Sequence, residues 1–222
     1  MADYSLGASV SCFNLFNLEK QFEQIHEAPI DFLHYDVVDG SFNQCIILGL
    51  PLLAAIRPHT RLPIDVHLAV FKPERFIEQF AEAGADIITI HSEGTDDLQG
   101  NFERIRKVNC KPALALRSET GADKSLLQAL EQAQFVIKLT VNPGFSGQAI
   151  QEQAIAKMRE LRKLMDENGI HTPIVADGNV NPATIPVLKK AGASILIGGS
   201  SGLFLKGKTV KENALAMLEA AK

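Results

Sequence analysis

The 222-residue chain has no CxxC pair, no Ser/Gly-rich or Pro-rich run, no block of like charge and no GxGxxG fingerprint after its first apolar segment. Every apolar stretch is cut by a charge or a proline well short of the roughly 20 residues that span a bilayer, so no membrane partner is expected. The start, MADYSLGASVS, lacks a basic segment leading into a long apolar run, which sets a cytoplasmic expectation. Cys12, Cys45 and Cys110 are odd in number and widely spaced. That argues for reduced thiols against a disulfide frame or zinc knuckle. A basic excess is also missing: 22 Lys+Arg against 26 Asp+Glu leave a net charge of −4, which disfavours nucleic acid as a partner but leaves room for a small anion held locally. With no linker in sight, residues 1–222 are expected to form a single domain.

What the sequence does have is alternation. Short apolar runs rich in β-branched residues occur at 5–11, 32–36, 64–70, 86–91, 112–116, 135–141, 174–177 and 194–197. Amphipathic helical patterns fill 18–26, 73–83, 102–108, 124–131, 149–167, 181–190 and 210–220. Pro73 suits a first helical turn, Gly84 and Gly192 suit helix ends, and Asn181-Pro182 reads as a cap followed by a first-turn proline. Eight strand-helix rounds predict an α/β fold of the (β/α)8 TIM-barrel type, lean for a barrel that usually needs about 250 residues. The alternative is an open doubly wound sheet, which a GxGxxG after the first strand would favour, and that fingerprint is absent.

A barrel carries its active site at the C-terminal strand ends. There the second run ends in His34-Tyr35-Asp36, the third contains Asp65-Val66-His67 and the seventh ends in Asp177. Period 2 puts His34 and Asp36 on one face. With His67 and Asp177 they offer two imidazoles and two carboxylates, a mixed donor set suited to one divalent ion among Zn²⁺, Fe²⁺, Mn²⁺ and Co²⁺. His26, His59 and His171 lie beside helix ends or loops and read as solvated. His91, followed by Glu93, reads either as a structural hydrogen-bonding residue or as support behind the site. Three small-residue loops follow neighbouring strands: 141–148, 177–179 and 198–202. Their backbone N–H groups can approach a phosphate, and the last two occupy the usual phosphate position of such barrels.

The stretches HYDVVDG at 34–40, DVHLAVFKPERF at 65–76, AGADIITIHSE at 83–93, VNPGFSGQ at 141–148, VADGNV at 175–180 and AGASILIGGSSGLF at 191–204 together resemble the ribulose-phosphate 3-epimerase family. The resemblance runs in order from about Ser9 to Phe204. It implies a phosphate-binding barrel that inverts C3 of a ketose phosphate with one divalent metal. By that resemblance the ligands would be His34, Asp36, His67 and Asp177, and the proton-transferring pair Asp36 and Asp177. Ser9 and His67 would touch substrate, and Gly144, Phe145, Ser146, Gly147, Gly178, Asn179, Gly199 and Ser200 would cradle the phosphate. A homo-oligomer is implied too. The chemistry stands on its own: the hydrogen at C3 lies α to a carbonyl, a cation can hold enediolate charge, and inversion needs one group on each face.

The chain also departs from the pattern. Val38, Ala69 and Leu139 stand where the family commonly has methionine, Cys45 where it has Asn, Arg117-Ser118 for Asn-Pro, and Asn179 for the second glycine of DGG. Arg117 reads as a salt-bridged rim residue or as an added substrate contact. The default substrate pair is D-ribulose 5-phosphate and D-xylulose 5-phosphate. The ending GGSSGLF resembles the allulose-6-phosphate 3-epimerase branch of the family, and Ala69, smaller than methionine, leaves room for an extra carbon, so conversion of D-allulose 6-phosphate to D-fructose 6-phosphate is the alternative. A non-catalytic sugar-phosphate binder is a further reading, whereas related decarboxylases would show DxKxxD where this chain has DVHLAV.

Overall fold

Parallel pairing closes the described chain, residues 5–142 and 148–222, into a ring of eight strands in the computed structural model. The strands are β1 (Ser5–Ser9), β2 (Phe32–Asp39), β3 (Ile46–Ile47), β4 (Ile64–Ala69), β5 (Ile87–His91), β6 (Lys111–Leu116), β7 (Val136–Leu139), β8 (Ile174–Asp177) and β9 (Ala193–Gly198). The ring runs β1-β9-β8-β7-β6-β5-β4-β2 and closes through β1 and β2. Outside it, β3 is a two-residue antiparallel partner of β2, pairing Val38 with Ile47 and Asp39 with Ile46.

Around the ring lie α1 (Leu18–Glu27), α2 (Leu50–Ile56), α3 (Ile77–Glu82), α4 (Leu98–Lys107), α5 (Leu127–Gln132), α6 (Glu152–Glu167), α7 (Ile185–Lys190) and α8 (Val210–Ala220). Among the described residues no helix is long and apolar enough to cross a membrane. Each strand segment expected from sequence overlaps a barrel strand. The helix missing from those expectations is α2, seven residues that carry Pro51 in their first turn and stop short of Pro58, with only Leu53 and Ile56 buried. So short a helix shows too few turns for a 3.6-residue period to stand out. The expected helix at 73–83 divides into a single 3₁₀ turn, Pro73–Arg75, and α3. Gly84 and Gly192 end their helices at φ of 106° and 107°, as anticipated. Asn181 caps a turn just ahead of α7, its Oδ1 accepting from the N–H groups of Ala183 and Thr184.

Strand alternation sorts the core into two layers. Inside the barrel sit Phe32, Ile87, Ala113, Phe135, Ile137 and Val175, with the Phe32 and Phe135 rings 6.2 Å apart. Their neighbours in sequence, such as Leu33, Val66, Ile88, Leu114, Val136 and Ile174, face the helices. This inside/outside alternation decides which polar residues reach the barrel mouth: on β2, Leu33, Tyr35 and Val37 pack outward, so His34 and Asp36 point in.

Candidate active site

Strand register assembles the centre of the site. In the β2–β4 ladder His34 stands beside Asp65 and Asp36 beside His67, while His67 neighbours Thr89 on β5. His34 Nε2 lies 3.0 Å from Asp36 Oδ1 and 3.8 Å from Asp177 Oδ2. His67 Nδ1 lies 3.2 Å from the same Asp36 oxygen. Ser9 and Ser11 donate to Asp36 Oδ2 at 3.3 and 3.1 Å.

One donor atom from each of His34, Asp36, His67 and Asp177 lies within 4.8 Å of all the others. Ligand atoms on one divalent cation, bound at about 2.0–2.2 Å, stand about 3–4 Å apart, so these residues fit such an ion with little movement. Their far sides are already engaged. Nδ1 of His34 is 2.8 Å from Asp65 Oδ2, and Asp65 Oδ1 accepts from Thr89 Oγ1 at 2.6 Å. Nε2 of His67 is 2.9 Å from His91 Nε2, and His91 Nδ1 is 3.1 Å from Glu93 Oε2. Both rings thus turn one nitrogen to a fixed partner and the other to the cluster, the arrangement that orients metal-binding histidines.

The electrostatics of the cluster favour positive charge at its centre. Burial opposes a charge on His34, yet Asp36 and Asp65 beside it raise its pKa well above the ordinary value. Burial also works against the Asp36 carboxylate, but His34 and His67 hold it well below the usual carboxylate range. Asp177 moves the other way, raised by burial and by the negative charge of Asp36. His91 is pulled by burial down to about 4 and is therefore a neutral imidazole at physiological pH. Glu93, despite burial, is lowered to about 2 by its bonds to His91, Thr120 and the Arg117 N–H.

Beside the cluster opens a cavity of about 400 Å³. Its apolar wall includes Val38, Ile47, Ala69 and Leu139, so the aliphatic replacements noted in the sequence do face the pocket. The lining also includes Gly178, Asn179, Gly199, Ser200 and Ser201 from the loops after β8 and β9. Gly178 has φ of 109°, and a Cβ there would sit 2.6 Å from Val141 Cγ2. The turn therefore admits only glycine without rearrangement.

Of the site residues expected from sequence, His34, Asp36, His67 and Asp177 come together, and Ser9, Gly178, Asn179, Gly199 and Ser200 line the same cavity. Gly144, Phe145, Ser146 and Gly147 lie outside the described residues. Arg117 is a rim residue, 3.8 Å from Glu119 and stacked on Phe42. His26, His59 and His171 are exposed. No motif in the sequence marks Asp65 as part of the site, although it precedes His67 by two residues in one strand and so shares its inward face. Thr89 and Ser11 also escaped notice, since a lone hydroxyl residue in a strand or loop carries no signal of its own.

Fold and site together define a (β/α)8 barrel with an imidazole-carboxylate cluster and glycine-rich loops at its mouth. The family model described as Ribulose-phosphate 3 epimerase family matches residues 5–204, and the chain belongs to that family. It is 32% identical to a ribulose-phosphate 3-epimerase of Bacillus subtilis over 92% of this chain and 93% of that one. With the enzyme of the same name from Methanocaldococcus jannaschii the identity is 34%, over 96% and 92%. Among solved structures, KGPDC from Streptococcus mutans superposes with a TM-score of 0.71 at 15% identity, over 99% of this chain and 97% of that one, a likeness of fold.

Proposed function

We propose that the protein is a metal-dependent ribulose-phosphate 3-epimerase that interconverts D-ribulose 5-phosphate and D-xylulose 5-phosphate by proton transfer through Asp36 and Asp177. The observation that carries this reading is the convergence of those two carboxylates on one cavity from β2 and β8. In the ring, β1 and β9 separate these strands on one side and four strands on the other. The two groups can therefore flank a planar intermediate bound between them. Family membership and the named relatives support the pentulose phosphate. Among the described residues nothing in the pocket lining favours the six-carbon alternative over it.

His34, Asp36, His67 and Asp177 would hold one divalent ion, with Zn²⁺, Fe²⁺, Mn²⁺ and Co²⁺ all compatible with the donor set. When bound, such an ion supplies Lewis acidity to oxygen atoms that gain negative charge. The remaining work falls to side chains and backbone. Gly178, Asn179, Gly199 and Ser200, with residues 144–147, would receive the phosphate and fix the reacting carbon between the carboxylates. One aspartate takes the proton from C3, the C–H electron pair passes into the C2 carbonyl, and an enediolate forms. The other aspartate returns a proton to C3 from the opposite face. Neither a redox cofactor nor a covalent intermediate enters the balance. Ser9 and Ser11, bonded to Asp36, hold its carboxylate toward the cavity. Family membership supports a homo-oligomer, and the three widely spaced cysteines, with no CxxC pair, support a cytoplasmic setting with reduced thiols.

The test is NMR of ribulose 5-phosphate with the purified protein in D₂O, with and without chelator. Formation of xylulose 5-phosphate with deuterium at C3, suppressed by chelator, is expected. Binding of substrate without exchange at C3 would overturn the assignment and leave a sugar-phosphate binder.

A further inference from the structure

Lys138 is fully buried in the middle of β7, a strand otherwise built of Val136, Ile137 and Leu139. Ile137 and Leu139 belong to the barrel interior, so Lys138 points with Val136 toward the helix layer. Among the described residues its ammonium group pairs with no carboxylate. It donates to three backbone carbonyls of one loop, those of Arg117, Ser118 and Thr120, the last two at 3.1 and 2.6 Å. A buried cation is costly, and one spent on gathering carbonyls of a four-residue stretch fixes that stretch tightly.

The same loop reaches the site along two routes. The N–H of Arg117 donates to Glu93 Oε1 at 2.8 Å, and Thr120 Oγ1 donates to the same oxygen. The other Glu93 oxygen accepts from His91 Nδ1, and His91 Nε2 faces His67 Nε2. Along the second route, the Arg117 guanidinium lies 3.9 Å above the Phe42 ring and donates from Nη2 to the Phe42 carbonyl at 2.8 Å. The Phe42 ring packs on the His91 ring with centroids 4.6 Å apart. His91 is thus held at Nδ1 by a carboxylate that the loop orients and on its face by an aromatic ring that the loop pins.

We propose that Lys138 and Arg117 are positioning residues, which act through Glu93, Phe42 and His91 to set the orientation and tautomer of His67. The proton order follows from the donors. Ionised Glu93 takes the Nδ1–H of His91, which leaves His91 Nε2 as an acceptor. That acceptor requires the proton of His67 to sit on Nε2, so the lone pair on Nδ1 points into the cluster. The inference rests on the reading of His67 as a ligand, and partners behind metal-binding histidines typically change metal affinity by about 10–100-fold when removed.

Two variants carry the test. Lys138→Met keeps most of the volume and removes the three carbonyl bonds. Arg117→Met, on a half-buried loop residue, removes the stacking and the Phe42 bond and leaves the backbone N–H on Glu93. In the cobalt-loaded protein, each is expected to weaken Co²⁺ binding by about tenfold, read from the visible absorption of bound cobalt. In the zinc-loaded protein, the ¹⁵N shifts of His67 should move away from a single Nε2–H tautomer. Turnover should fall with little change in KM, because the phosphate loops are untouched. His67→Ala serves as the reference. If it weakens cobalt binding while both variants keep wild-type affinity and wild-type His67 shifts, the positioning role is wrong. If His67→Ala itself leaves cobalt affinity unchanged, the ligand reading fails instead. Should Lys138→Met not fold, Arg117→Met decides by the same measurements.

Discussion

His34 and Asp65, neighbours in the β2–β4 register, form a pair sealed from solvent with 2.8 Å between Nδ1 and Oδ2. Thr89 occupies the second oxygen of Asp65, so the carboxylate has one task left, to accept the His34 proton and hold the ring with Nε2 toward Asp36 and Asp177.

Asp65→Ala should therefore harm two properties at once. Removing one partner from a buried charged pair costs about 3–5 kcal/mol. A free His34 ring should also lower metal affinity by about 10–100-fold. Urea denaturation and a metal titration check the two effects separately. Asp65→Asn keeps an acceptor oxygen and should recover more of the stability than of the metal affinity.

Asp177→Asn should reduce epimerisation by at least about 10³-fold, since an amide can neither take nor return the C3 proton. Phosphate binding, centred on the loops after β8 and β9, should remain measurable by inhibitor titration. Asp36→Asn should be equally inactive, with an added loss of affinity for the ion because Asp36 touches both His34 and His67. Turnover near normal in the Asp177 variant would remove the two-aspartate scheme.

Glu93 gives a pH dependence with a definite sign. Its folded pKa, about 2, lies below the ordinary 4.5. Such a group adds stability that is complete above about pH 4.5 and is lost as the pH falls toward 2, amounting to about 3 kcal/mol. Glu93→Gln should be less stable than the wild type at neutral pH by an amount of that order, and the gap should narrow as the solution is acidified from pH 4.5. Urea midpoints across the acid range measure it. A gap independent of pH would mean that the carboxylate charge is not the source.

How much of this could be read in advance follows from the range of each signal. His34, Asp36, His67 and Asp177 announce themselves because charged groups at the ends of apolar strands need partners, and period 2 fixes their direction. Strand existence was equally legible, since β-branched runs repeat eight times. What sequence could not supply was register. Only the pairing of β2 with β4 reveals that Asp65 belongs to His34, and only the path of the β6–α5 loop brings Lys138, 21 residues from Arg117, under that loop. Lys138 itself reads as a break in an apolar run, and its three carbonyl partners are backbone atoms, which carry no residue-specific pattern.

Gly178→Ala tests the loop after β8 by geometry alone. At φ of 109° any side chain is strained, and the added Cβ would meet Val141 Cγ2 at 2.6 Å and Thr140 Oγ1 at 2.9 Å. Both neighbours are buried, and Thr140 Oγ1 is already bound to the Asp177 carbonyl at 2.9 Å, so neither can give way freely. Strain and overpacking together should cost about 2–4 kcal/mol, and the displaced turn should raise KM for the sugar phosphate. Gly169→Ala is the control. It has φ of 68° but nothing within 4 Å of its Cβ, and it lies beyond α6, outside the cavity lining. It should lose only about 1 kcal/mol to backbone strain and leave KM unchanged. Thermal unfolding and steady-state kinetics on the two variants separate the terms: equal stability losses would show that the contact with Val141 and Thr140 relaxes away. An unchanged KM in Gly178→Ala would detach this turn from phosphate binding.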